Sequence, residues 1–215
     1  MHSPRNLVVF EFLGTAVILF GALLGTILIP NTGYNWITPP FVGVAIALTF
    51  HKSGAHLNPA VTALVNSFPR SHRIQNFAYV ATQVATAVAI GLIFRWVLIA
   101  QNVPVGSTEF KPFDSSTIFL EVGATFILMS LIAVLALNGK AIWTIVAVPA
   151  MLYLLALSPL FIDQMNPAVT IAQTIEGLLT PLQLLEHLIG EALGVSLVIT
   201  WVLVWVKRKR PASKS

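Results

Sequence analysis

Asn58-Pro59-Ala60-Val61-Thr62 and Asn166-Pro167-Ala168-Val169-Thr170 are the same five residues, written twice in one chain of 215. The chemistry of the pentapeptide is local and specific. Asparagine is a favoured N-cap, because its side-chain oxygen accepts one of the orphan backbone N–H groups of a first helical turn. Proline in the next position is already set for that turn and has no N–H to waste. Each copy therefore predicts the start of a short helix, continuing through Ala63–Phe68 in the first case and Ile171–Leu179 in the second. A segment of about 9 residues at 1.5 Å rise spans roughly 13 Å. Two such segments, nose to nose, span roughly 27 Å, close to the ~30 Å hydrocarbon core of a bilayer.

The composition around them is that of a chain in lipid. Hydrophobic residues make up 56%, charged residues only 9%, and the mean hydropathy is +0.84. A soluble domain carries about 25% charged residues, so a water-soluble enzyme and a nucleic-acid binder are both excluded. The pI of 9.7 reflects a net charge of only +4, and five cations sit in the tail at Lys207, Arg208, Lys209, Arg210 and Lys214. Basic ends on an apolar chain suit anionic lipid headgroups. With no cysteine there is no disulfide framework, thiolate metal site or cysteine nucleophile.

Five runs are long enough to cross a membrane: Leu7–Ile29, Phe77–Ala100, Thr117–Leu137, Ala141–Phe161 and Leu182–Val206. A sixth, Trp36–Phe50, is shorter and opens with Pro39 and Pro40, which a first helical turn tolerates. The first run is too long for a signal-peptide core and is expected to be retained. Six crossings put both termini on one side. That side holds Arg5, Lys52, Arg70, Arg73, Lys140 and the five tail cations, against Arg95 and Lys111 on the other. The excess predicts cytoplasmic termini.

The repeat extends beyond the pentapeptide. Glu11 and Thr15 in the first run are matched by Glu121 and Thr125 in the fourth, 47 and 45 residues before their asparagines. Three crossings per half is an odd number, so the halves enter the membrane in opposite directions, and a site is expected where they meet at the mid-plane. The expected fold is all-α and integral to the membrane: six transmembrane helices plus two re-entrant half-helices in one channel domain over residues 1–215. The inverted repeats are 7–100 and 117–206, followed by a basic tail at 207–215.

Irregular backbone survives at membrane depth only when it is buried in protein or lines a wet cavity. Two helix N-termini at one spot, each worth about half a positive charge, favour a neutral hydrogen-bonding molecule and oppose a cation. Each asparagine oxygen being used as a cap, its NH2 is expected to point into a lumen. The activity these features predict is passive passage of water or small neutral solutes, with no cofactor and no energy coupling. No nucleophile–base pair suggests an enzyme. His51 and His56, five residues apart, do not share a helix face, which argues against a joint metal.

These residues resemble the aquaporin and glycerol-facilitator family, the major intrinsic proteins. The likeness is carried by Glu11-Phe12-Leu13-Gly14-Thr15, by Ser53-Gly54-Ala55-His56-Leu57-Asn58-Pro59-Ala60-Val61-Thr62, by Gln83 and Glu121, and by Met165-Asn166-Pro167-Ala168. The resemblance implies a homotetramer of independently conducting subunits in the cell membrane. It places Asn58, Asn166, Pro59, Pro167, Ala60 and Ala168 at the pore mid-point, makes Glu11 and Glu121 buried braces of the re-entrant loops, and gives His56 and Gln83 supporting roles. Glu191 occupies the slot that Gln83 fills in the first half and reads as a further buried brace rather than a proton relay.

One departure stands out. The family usually has arginine directly after the second Asn-Pro-Ala; here that residue is Val169. Ungapped counting from the asparagines puts the remaining constriction positions at Thr38, Leu154 and Asp163. Loss of a guanidinium removes five donors and a fixed positive charge, so a small polyol such as glycerol becomes a plausible passenger beside water. Two alternatives stay open: a cation- or ammonium-permeable relative, if Asp163 faces the lumen, and a structural membrane protein with a closed pore. Asp163 also reads as a loop residue bonded to backbone.

Overall fold

The computed structural model describes residues 4–28, 36–69, 71–102, 112–157 and 164–209. Among them every regular element is helical: α1 (Pro4–Leu28), α2 (Thr38–Ser53), α3 (Pro59–Asn66), α4 (Arg73–Ala100), α5 (Ser115–Leu137), α6 (Thr144–Ala156, entered through a 3-10 turn at Ala141–Trp143), α7 (Pro167–Glu176) and α8 (Pro181–Lys209). The order long, short, half, long occurs twice. Four segments are long and apolar enough to cross a membrane: Leu7–Leu28, Arg73–Ala100, Ser115–Leu137 and Pro181–Val206. The 16 residues of α2 and the 13 of α6 with its 3-residue turn supply the shorter pair, about 24 Å each at 1.5 Å per residue. The half-helices α3 and α7 are 8 and 10 residues long.

Several boundaries differ from the sequence expectation, among them those of the fifth and last crossings. The fifth crossing, expected over Ala141–Phe161, is helical only to Ala156, and Phe161 lies outside the described residues. The last helix continues through Lys209, so the first three residues of the expected tail 207–215 belong to α8. Lysine and arginine are good helix formers, and cations suit the negative end of a helix.

The main packing contacts run between α5 and α8, α1 and α2, α4 and α7, α1 and α4, and α2 and α6. Small residues set the closest approaches. A Cβ on Gly190 of α8 would lie 2.5 Å from the Glu121 Cβ and 2.9 Å from the Ile118 carbonyl of α5. A Cβ on Gly194 would meet the Thr125 Cβ at 2.8 Å. Gly123 of α5 has nothing within 4 Å of such a Cβ, so it faces outward from this chain.

The buried core gathers around the half-helices, with Leu57, Leu64, Met129 and Ala168 almost fully enclosed. The outer surface is equally apolar: Leu48, Phe119, Val146 and Leu197 are exposed. A monomeric soluble protein rarely exposes apolar patches on this scale; hydrocarbon accommodates them. Trp36, Trp96 and Trp143 are exposed close to helix ends, where membrane-interface aromatics gather.

Candidate functional site

Each half-helix begins as its sequence dictates. Asn58 has extended backbone (φ −158°, ψ 124°), and its Oδ1 accepts the N–H of Ala60 at 2.7 Å and of Val61 at 3.4 Å. Asn166 (φ −148°, ψ 103°) accepts the N–H of Ala168 at 3.0 Å. Pro59 and Pro167 open the first turns. The threonines at the ends of the pentapeptides donate back to the asparagine carbonyls, Thr62 at 3.0 Å and Thr170 at 3.3 Å.

The residue before each asparagine is left-handed: Leu57 at φ 52° and Met165 at φ 44°. Such a conformation costs a side-chain-bearing residue about 1–3 kcal/mol. Here it turns two carbonyls toward the opposite half. Asn58 Nδ2 donates to the Met165 carbonyl at 2.9 Å, and Asn166 Nδ2 donates to the Leu57 carbonyl at 3.2 Å. The side-chain NH2 groups are thus not wholly free, whereas the sequence reading expected them to point into a lumen. One N–H of each ties the seam, and each amide carries a second.

Both asparagines line one cavity of about 310 Å³. Its walls are largely aliphatic, with Ile18, Val42, Ile46, Leu128 and Val148 among them. Polar edges come from Thr38, His56, Thr144, Gln164 and the two asparagines. Among the described residues no Asp, Glu, Lys or Arg lines it.

The residues proposed from sequence for the constriction separate here. Thr38 and Val169 line the cavity. Leu154 does not: it is 69% exposed on the outer surface, while Leu152 is buried and on the lining. Two residues along a helix turn the side chain by about 200°, so the slip moves the position from lumen to lipid. Asp163 lies outside the described residues. Gln164, which the sequence reading passed over, joins the lining; its Nε2 donates to Gln173 Oε1 at 2.7 Å. Its place beside Met165-Asn166 was the available signal.

Of the residues expected to brace the loops, Glu11, Gln83 and Glu121 are buried and His56 is half-buried. Glu11 accepts from Ser53 Oγ at 2.7 Å, His56 N at 3.0 Å, Leu57 N at 2.8 Å and Gln83 Nε2 at 2.8 Å. Glu121 accepts from Met165 N at 2.6 Å and faces His187 Nδ1 at 2.9 Å. His56 bonds Thr62 Oγ1 through its ring at 3.3 Å and stands edge-on to Tyr79, so its ring meets side chains rather than the loop backbone. Glu191 accepts from Thr170 Oγ1 at 3.0 Å, as Gln83 meets Thr62 in the first half. Tyr79 and His187, each one turn before those residues, were not singled out from sequence. A polar group four residues from another within an apolar run was their signal.

The description "Major intrinsic protein" matches residues 3–164. The chain is 30% identical over 186 residues to "Aquaporin NIP1-4" of Oryza sativa subsp. japonica, covering 78% of this chain and 65% of that one. It is 30% identical over 164 residues to "Putative aquaporin NIP4-1" of Arabidopsis thaliana, covering 73% and 56%. Over 93 residues it is 34% identical to "Aquaglyceroporin-2" of Rhizophagus irregularis, 39% of this chain and 29% of that protein. The matched stretches therefore span 65%, 56% and 29% of the lengths of these three curated relatives. The family match stops before Asn166, yet the second half rebuilds the first element by element, down to the capped asparagine. The chain belongs to the major intrinsic protein family, a family of multi-pass membrane channels and not of enzymes.

Proposed function

We propose that this chain is a passive channel for water and small neutral solutes of the glycerol type. The observation that carries the reading is the shared cavity: two half-helix N-termini and both pore asparagines open on it, and its described lining holds no acidic or basic side chain apart from the His56 imidazole. Donors and positive helix ends welcome a hydroxyl oxygen and oppose a cation. Aliphatic walls accept the carbon face of the same molecule.

In this reading the constriction is arginine-free and is built from Thr38, Leu152, Gln164 and Val169, while Glu11, Glu121, His56 and Gln83 brace the loops. The domain is a single channel of two inverted repeats, approximately 7–100 and 117–206, assembled as a homotetramer. Its seat is the cell membrane with both termini cytoplasmic, supported by Lys52, Arg73 and Lys140 against Arg95. The cation-permeable alternative depended on Asp163 and draws no support from the described lining.

The test is a light-scattering series in reconstituted vesicles with water, glycerol, urea and ammonium, on the wild type and Val169→Arg. The expected result is glycerol flux in the wild type, suppressed by arginine more strongly than water flux. Absence of glycerol flux, or indifference to the arginine, overturns the wide-filter reading. Ionic conductance in planar bilayers would favour the cation-permeable alternative.

A further inference from the structure

The two halves brace their asparagine loops with different chemistry. In the first, Glu11 is met by the Gln83 amide, and Tyr79, one turn earlier on α4, donates its hydroxyl to the Ser53 carbonyl at 2.9 Å. The related positions of the second half lie on α8. Glu191 stands 21 residues after Thr170, as Gln83 stands 21 after Thr62, and His187 precedes it by one turn. A neutral amide and a phenol are thus exchanged for a carboxyl group and an imidazole.

The resulting cluster is dry. Glu121 is 0% exposed, Glu191 1% and His187 7%. Glu121 Oε1 accepts the Met165 N–H, and Oε2 faces His187 Nδ1. Glu191 Oε1 accepts from Thr170, the Asn166 backbone N–H also approaches this carboxyl group, and Glu191 Oε2 is fully buried with no hydrogen bond of good geometry. Two ionised carboxylates with a neutral imidazole would leave two negative charges in an apolar interior, which burial penalises heavily. A proton on Glu191 Oε2 removes one of them. A proton on His187 Nδ1 completes the bond to Glu121.

We propose that Glu191 is a positioning residue for the pore asparagine Asn166, and that it acts by holding a dissociable proton beside Glu121, which the His187 ring anchors at 2.9 Å. With its proton, Glu191 is a neutral prop for Thr170 and Glu121 keeps its hold on Met165. When the proton leaves at high pH, two carboxylates repel across the loop. The Met165–Asn166 segment shifts, the Asn166–Leu57 bond across the seam is lost, and flux falls. The first half, with Gln83 in the place of Glu191, has no second carboxyl group there to repel Glu11.

Among the described residues, the titratable groups on the elements packed around the cluster are few. On α5 they are Glu121 and, at the N-cap, Asp114. On α7 there is only Glu176, at the far end of that helix, and α3 has none. On α8, Glu186 turns away to accept the Asp114 backbone N–H at 2.6 Å. None of the others offers Glu191 Oε2 a partner.

The inference rests on the channel reading for its flux readout, so the experiment carries a second readout that does not. Water and glycerol permeability of proteoliposomes is followed from about pH 5.5 to pH 9.5 for the wild type, Glu191→Gln, and the double variant His187→Tyr/Glu191→Gln, which rebuilds the first half's pair. The infrared carboxyl C=O band is recorded on the same samples. Wild-type flux should fall roughly fivefold toward high pH, the low end of ordinary site coupling. The double variant should be flat across the range. The wild-type-minus-Glu191→Gln difference spectrum should hold a protonated-carboxyl band at neutral pH that fades with the flux. A flat wild-type profile, a double variant that retains the wild-type profile, or a difference spectrum without the band each overturns the proposal. If the double variant does not fold, the difference spectrum still decides. A wild type that passes nothing at any pH overturns the channel reading instead, and the band alone then judges the proton site.

Discussion

Asn58 gives a side-chain N–H to the carbonyl of Met165 at 2.9 Å, a bond between residues 107 positions apart in the chain. Its mirror runs from Asn166 to Leu57 at 3.2 Å. Each asparagine therefore does two tasks with one side chain. The oxygen starts its own helix, and the nitrogen holds the opposite loop. The bonds fix the axial register of α3 against α7, and with it the place where both positive helix ends meet the cavity.

Asn58→Asp separates these tasks. Aspartate remains a good N-cap, so α3 should still form. The donor to Met165 is gone, and a carboxylate now stands at the narrow centre of the pore. Leaving a buried carbonyl unpaired costs about 1–3 kcal/mol. The variant should show a lower thermal midpoint in detergent, reduced glycerol flux, and new cation conductance in planar bilayers. A variant as ion-tight as the wild type would mean that Asn58 does not border the conducting path.

The α5–α8 contact makes a prediction about stability alone. Gly190→Ala would set a methyl group 2.5 Å from the Glu121 Cβ and 2.9 Å from the Ile118 carbonyl. Neither is the loose end of a side chain, so α8 must back away, at about 1–3 kcal/mol for overpacking. Gly123→Ala meets nothing within 4 Å and should be neutral or stabilising, by up to ~1 kcal/mol of helix propensity. Thermal unfolding of both variants in one detergent checks the contrast. Equal midpoints would show that the two helices are not in close contact.

Asp114 supplies the pH dependence outside the spans. It N-caps α5, accepting from the backbone N–H of Ser116 at 2.8 Å and its hydroxyl at 2.6 Å. Those bonds to Ser116, helped by Thr117, hold its carboxyl below the ordinary carboxylate value. A lowered folded-state pKa means that the contribution is complete above the unfolded value, about 3.9. It is lost as pH falls through the folded value. Asp114→Asn keeps a capping oxygen but cannot titrate. The difference in thermal midpoint between wild type and variant should shrink in that acid window and be constant near neutrality.

Much of this architecture was legible because its signals are chemical rather than statistical. Asn-Pro written twice names two helix starts, and a glutamate within an apolar run demands a partner, which both Glu11 and Glu121 have. What stayed hidden had no contrast to read. Leucine and methionine do not advertise a positive φ, so the left-handed turns at Leu57 and Met165, and the carbonyls they present, left no mark in the sequence. Helix α6 reads Thr-Ile-Val-Ala-Val-Pro-Ala-Met-Leu-Tyr-Leu-Leu-Ala. After Thr144 and up to Tyr153 both faces are apolar, one toward an aliphatic lumen and one toward lipid, so periodicity could not say which leucine faces which. Counting back from Asn166 without gaps chose Leu154 and missed by just over half a turn.

That slip is itself testable, because Leu152 and Leu154 are chemically identical and differ only in what they face. Leu152 is buried on the cavity lining; Leu154 is exposed on the outside. Tryptophan at Leu152 adds an indole to a lumen of about 310 Å³, large enough for a polyol but not for a polyol beside a new aromatic ring. Glycerol flux should fall by about tenfold or more, equivalent to roughly 1.4 kcal/mol of added barrier, and water flux should fall less. Tryptophan at Leu154 lies against hydrocarbon, or against a neighbouring subunit, and should leave both fluxes within about twofold of the wild type, well under 1 kcal/mol of barrier. Vesicle light scattering on the matched pair decides the register of α6. Should Leu154→Trp block glycerol while Leu152→Trp does not, the lumen runs along the other face of that helix, and the constriction must be rebuilt around Leu154.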